Sequence, residues 1–188
     1  MKTGLPRVRN RYPASIRAVH WIRAALIVAL LATGLYMTGR AEDDVMAGFL
    51  YPDHKQIGVL VWLLAVVHLG LRWRYGSQLP HMAQTLKQWE QRLSLGVHRV
   101  LMALTLLTPL LGYAMSSSLP DGDGVPFFVV ARIPEILPKS DTAFLVFQAL
   151  HKYSAYLMLA CIGLHVAGAL KHRLKDRGSD ADVLQRML

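Results

Sequence analysis

Six of the chain's eight histidines fall inside or at the ends of strongly apolar runs: His20, His54, His68, His98, His151 and His165. Ionisable side chains in such runs are costly in a bilayer and are usually kept for chemistry. Two spacings repeat, since His54 and His68 are fourteen positions apart, as are His151 and His165. On an α-helix, fourteen residues give about 21 Å of rise and nearly four whole turns. Each pair therefore shares one helix face at two depths. Neutral imidazole is a good metal ligand, and its second nitrogen can be fixed by a neighbouring donor or acceptor. The chemistry that fits best is an axial clamp on haem b, in which imidazoles from facing helices hold the iron and the bundle interior takes the macrocycle. Small residues would let a flat ring approach the backbone, and Gly58, Ala155, Gly163 and Gly168 are placed for that or for plain helix packing.

Other chemistries fit less well. A zinc or copper site needs further ligands, often carboxylate or thiolate, close to the histidines. A proton relay usually includes an intramembrane Asp or Glu. No carboxylate lies inside any of the apolar runs, and Cys161 is the only cysteine, within one of them. It reads as a small core residue. With no CxxCH and no CxxC in the chain, covalent haem attachment and a dithiol redox pair are both excluded. The net charge of +9 would suit nucleic acid only if it clustered on a soluble face. It lies between apolar runs instead, so no nucleic-acid partner is expected.

Four elements must position these histidines. More than half of the residues are hydrophobic, and four charge-poor stretches predict spans at about 14–38, 54–74, 94–118 and 146–171, with a long outer loop over 116–150. A spanning helix needs about 20 mostly apolar residues. The first span must let Arg23 snorkel or find an internal partner. No period-2 alternation appears, so the expected fold class is all-α, an integral membrane four-helix bundle in a single domain.

Lys and Arg set orientation. They crowd ahead of the first run (Arg7, Arg9, Arg11, Arg17), between the second and third (Arg72, Arg74, Lys87, Arg92), and in the tail (Lys171, Arg173, Lys175, Arg177). The other two loops are acidic on balance. Both termini are therefore expected in the cytoplasm, with the first run uncleaved. That topology places His54 and His151 near the outer surface and His20, His68, His98 and His165 towards the cytoplasm. His81 and His172 are read as solvated. The outer histidines have no intramembrane competitor, whereas spacing alone leaves His20, His68 and His98 all able to face His165. The stretch VPFFVVARIPEILP, Val125 to Pro138, is apolar enough to cover the outer mouth or to form a short interfacial helix.

Several motifs carry a resemblance: RYPASIRAVHW, then HKQIGVLVWLLAVVHLGLRWR, HRVLMALTLLTPLLGYAMSS and LHKYSAYLMLACIGLHVAGALKHRLKDR, followed by a short VLQRML tail. From about Asn10 to Leu188 the chain resembles the prokaryotic cytochrome b561 family of inner-membrane di-haem proteins. The resemblance implies two bis-histidine haems b, with His54 and His151 on the outer one and His20 and His165 on the inner one. His68 departs from the pattern, since the family more often has Arg there. His98 matches a family histidine outside the ligand set. Lys55, Lys152 and Arg99 each follow a histidine directly and could offset anionic haem propionates. The expected function is electron transfer between an unknown outer-side donor and the membrane quinone pool, with ubiquinone as acceptor. Some members oxidise superoxide, so a quinone-reducing oxidoreductase is one form of this reading. The rivals are a cytochrome b anchor subunit of a larger dehydrogenase and a haem-free metal transporter. A homodimer or a partner subunit is compatible with either membrane role.

Overall fold

Leu, Val, Ala and Met fill the apolar runs, and in lipid such a run must satisfy its own backbone, which a helix does. The computed structural model describes residues 11–40, 44–80, 83, 85–122, 124–128 and 130–188. It contains four long helices, α1 (Ala14–Met37), α2 (Val45–Tyr75), α3 (Gln88–Ser118) and α4 (Asp141–Lys175). Each is long and apolar enough to cross a membrane. The chain is an all-α membrane bundle, as its composition predicts.

Three helices begin before the apolar runs do, and their caps explain it. The Asp44 carboxylate accepts the Ala47 N–H at 2.9 Å, Glu90 reaches back to the Lys87 N–H at 3.1 Å, and Ser140 Oγ accepts the Ala143 N–H at 3.3 Å. Each cap satisfies an open backbone donor, so the helix starts in polar sequence. As a result the third connection covers only 119–140. It holds no helix. Val125–Phe127 (β1) and Ala131–Ile133 (β2) form an antiparallel ribbon with Val125 opposite Ile133, and β1 packs on α2 and α3.

Side chains of α2 and α3 fasten this ribbon. Ser117 Oγ accepts the Ile136 and Leu137 N–H groups at 2.9 and 3.0 Å, and the Tyr113 hydroxyl donates to the Pro134 carbonyl at 2.6 Å. Phe128 sits at φ +52°, rare for a bulky side chain, and its N–H donates to Gln56 Oε1 at 2.9 Å.

Neighbouring helices pack in chain order, α1 on α2, α2 on α3 and α3 on α4, while α1 and α4 make no comparably close backbone contact among the described residues. Both ends of the described chain meet at the opposite end from the ribbon. There the Tyr12 N–H donates to the Arg186 carbonyl at 3.0 Å, and Trp21 Nε1 donates to the Met187 carbonyl at 2.9 Å, beside the short α5 (Leu184–Met187).

The buried core cluster is one residue from each long helix: Ile27, Val61, Leu104 and Met158. Val61 lies seven positions from both His54 and His68, and Met158 seven from both His151 and His165. The bundle is thus sealed at mid-height, between the two histidine levels. Outward-facing Leu63, Val67, Leu107 and Leu159 are exposed, as lipid-facing side chains of a membrane bundle are.

Candidate functional site

Two imidazole pairs flank the sealed middle. At the ribbon end, His54 of α2 faces His151 of α4 with ring centroids 6.2 Å apart. At the terminal end, His20 of α1 faces His165 of α4 at 6.3 Å. A metal–nitrogen bond of about 2 Å on each side, plus about 1 Å from nitrogen to ring centre, separates two axial imidazoles by about 6 Å. Both pairs have that separation, and no third His, Cys, Asp or Glu joins either to make a metal-binding cluster among the described residues.

Local sequence fixes the ribbon-end pair. His151 Nδ1 lies 2.9 Å from the Thr108 carbonyl, so it carries the proton and leaves Nε2 as the open nitrogen. That approach needs Gly112, where a Cβ would stand 3.0 Å from His151 Cε1 and 3.1 Å from Nδ1. His54 Nδ1 is 3.1 Å from Thr33 Oγ1, and a Cβ on Gly34 would touch its Cε1 at 3.4 Å. A threonine and a glycine on the neighbouring helix therefore orient each ring. Sequence reasoning missed all four residues. Their signal is a Thr one to four positions before a Gly inside an apolar run, in LLATGLY and LLTPLLGY. The glycines it did single out, Gly58, Gly163 and Gly168, have nothing within 4 Å of a built Cβ.

The terminal end is more crowded. His98 of α3 lies edge-on to His165 at 4.9 Å, too close for the two to flank one ion, and its Nδ1 lies 2.6 Å from the Ser94 carbonyl. His20 stacks edge-on with Trp21 at 5.3 Å. His68 is buried, its Nδ1 has no partner, and it makes no ring contact with His165 among the described residues. Of the three histidines that spacing leaves open, His20 has the separation of an axial pair.

The basic residues divide. Lys55 joins Tyr51, Pro52, Pro126 and Arg132 around a cavity of about 280 Å³ under the ribbon, and it follows His54 directly in sequence. The Lys152 ammonium lies 6.0 Å over the Tyr156 ring of its own helix. Arg99 is exposed on α3 beside His98. Arg23 does find an internal partner, donating from Nη2 to Thr105 Oγ1 at 2.8 Å. His172 is not simply solvated, because it pairs with Asp176 at 2.7 Å one turn along α4. His81 lies outside the described residues. A second cavity, about 340 Å³ and apolar, lies between α2 and α3, lined by Trp62, Pro109, Tyr113 and Phe127 and bordered by lipid-facing Leu63 and Leu110.

Known proteins match this architecture. The family model described as prokaryotic cytochrome b561 matches residues 11–188. The chain is also similar to "Cytochrome b561 homolog 2" of Escherichia coli (strain K12), 26% identical over 179 residues that cover 95% of this chain and 92% of that protein. With a family match over nearly its whole length and four spanning helices, the chain belongs to the prokaryotic cytochrome b561 family and is a multi-pass protein of the bacterial inner membrane that binds haem b and transfers electrons.

Proposed function

We propose that the protein carries electrons across the membrane through two haems b, one held by His54 and His151 and the other by His20 and His165. The observation that carries this reading is the equal separation of the two facing imidazole pairs, 6.2 and 6.3 Å, on either side of a sealed core layer. When bound, haem supplies one-electron iron chemistry, which no side chain of the span interiors offers. The chain's own part is ligation, spacing and exclusion of water. His151 and His165 set the two levels about 21 Å apart along α4. Thr108 and Thr33 engage Nδ1 of the ribbon-end rings and leave Nε2 for the iron. The Ile27–Val61–Leu104–Met158 layer keeps water from joining the two levels.

Loop charge puts both termini in the cytoplasm, so the ribbon end faces outward. There Lys55, the residue after His54, and Arg132 line one cavity, and these two cations favour a small anion as the outer electron donor, superoxide included. The acceptor is a membrane quinone, ubiquinone in this reading, and the apolar cavity bordered by Leu63 and Leu110 is open to such a molecule from the lipid. The test is anaerobic mixing of the oxidised, haem-loaded protein with superoxide, quinol and a soluble one-electron donor in turn. Superoxide is expected to reduce the haems, and added quinone to reoxidise them. Reduction by quinol alone, with none by superoxide, would reverse the proposed direction of flow.

A further inference from the structure

Arg23 is 7% exposed in the interior of the bundle, and its Nη2 donates to Thr105 Oγ1 at 2.8 Å while its Nε has no partner. An arginine stays charged at any working pH. A cation in the hydrocarbon layer is costly and needs a counter-charge. The sequence supplies none there: α1 has no acidic residue, α3 has none beyond Glu90, and α2 and α4 have none between their paired histidines. His68, 5% exposed, also has an unpartnered nitrogen, so a second interior polar group likewise lacks a protein partner.

The position of the guanidinium is fixed by its ends. Arg23 lies three residues along α1 from His20. Thr105 lies seven residues from His98, which touches His165, and seven from Gly112, which abuts His151. Seven residues are about 10 Å of helix rise, so Thr105 stands about midway between the two histidine levels, and Arg23 reaches it from about one turn beyond His20. At about 10 Å, with an effective dielectric constant of about 20, one unit charge shifts an equilibrium by roughly tenfold.

We propose that Arg23, anchored by Thr105, is a fixed interior cation that biases both haem sites towards their reduced state. It touches neither ligand pair and acts only through its field, as a tuning residue. The inference rests on the two-haem reading. Each electron that arrives brings the negative charge that the span interiors lack, so the cation favours the electron-loaded form at both levels.

A redox titration of the purified, haem-loaded full chain, followed in the visible spectrum, tests this. Arg23→Gln should lower the reduction equilibrium constant of both haems about tenfold, a fall of about 59 mV in each midpoint for a one-electron couple. Arg23→Lys, which keeps a cation, should hold both within threefold of the wild type. Thr105→Asp keeps Arg23 and places a counter-charge at its anchor, so both midpoints should again fall. Arg23→Gln midpoints within threefold of the wild type, at full haem content, would overturn the proposal. If Arg23→Gln fails to hold haem, Thr105→Asp decides, and unchanged midpoints there would overturn it equally. A wild-type chain that holds no haem would remove the two-haem reading itself, a result distinguishable from normal haem content with unmoved potentials.

Discussion

A histidine in an apolar helix is a better-oriented ligand when one of its nitrogens is committed elsewhere. His151 meets that condition through the Thr108 carbonyl, and His54 through Thr33 Oγ1. Pro109 follows Thr108, and Gly112 lies one turn on, so α3 presents both an acceptor and a gap to the ring. Filling that gap should show directly. Gly112→Val forces the His151 ring off the Thr108 carbonyl, and haem retention at the ribbon-end site is expected to drop about 10- to 100-fold, the usual cost of losing an orienting partner of a ligand. Haem titration into the stripped protein measures it, and wild-type affinity at both sites would refute the role given to Gly112. The histidines were legible in the sequence because imidazoles in greasy runs are rare and their spacing is helical. The threonines and glycines were not, because either residue type packs helices equally well. Which of them meets a histidine depends on which helices are neighbours. Where spacing left three candidates, the proposal takes His20, which stands 6.3 Å from His165 while His98 lies against it at 4.9 Å.

At the scale of elements, the ribbon between α3 and α4 packs on α2 and α3 at the end of the bundle that carries the His54–His151 pair. Its apolar residues allowed either a cover or a short interfacial helix, because periodicity over so short a stretch is ambiguous. The ribbon wins through specific ties that no local pattern announces. Gly124, at φ +92°, donates its N–H to Glu135 Oε1 at 3.0 Å, and Lys139 pairs with the same carboxylate. The Lys139 hydrogen bond holds the Glu135 carboxyl below its ordinary value, helped by the Gly124 N–H and opposed by desolvation. A depressed carboxylate contributes stability above the ordinary Glu range and loses it as pH falls through the folded value. Protection of the Gly124 amide in hydrogen exchange should therefore be full at neutral pH and fall on acidification below the carboxylate range. Glu135→Gln should lose protection at neutral pH and show little further change in acid. Equal protection of the wild type at both pH values would contradict this account. Local caps also set the helix starts: Asp44, Glu90 and Ser140 begin α2, α3 and α4 in polar sequence ahead of the apolar runs.

For the whole molecule, the membrane architecture was plain from composition, because four apolar runs in a chain of this length leave little else for a bilayer protein to be. What composition did not disclose is the layering of the interior. Ile27, Val61, Leu104 and Met158 form an apolar layer between two levels of paired imidazoles. The central claim, two haems each clamped by one pair, is tested most directly by counting haem per chain from the pyridine haemochrome spectrum of the wild type and of four single variants. The wild type should hold two haems b. His54→Ala and His151→Ala should each lose the outward one, and His20→Ala and His165→Ala the inward one, leaving about one haem per chain in every case. One haem in the wild type, or two retained in His20→Ala alongside a loss in His68→Ala, would contradict the account.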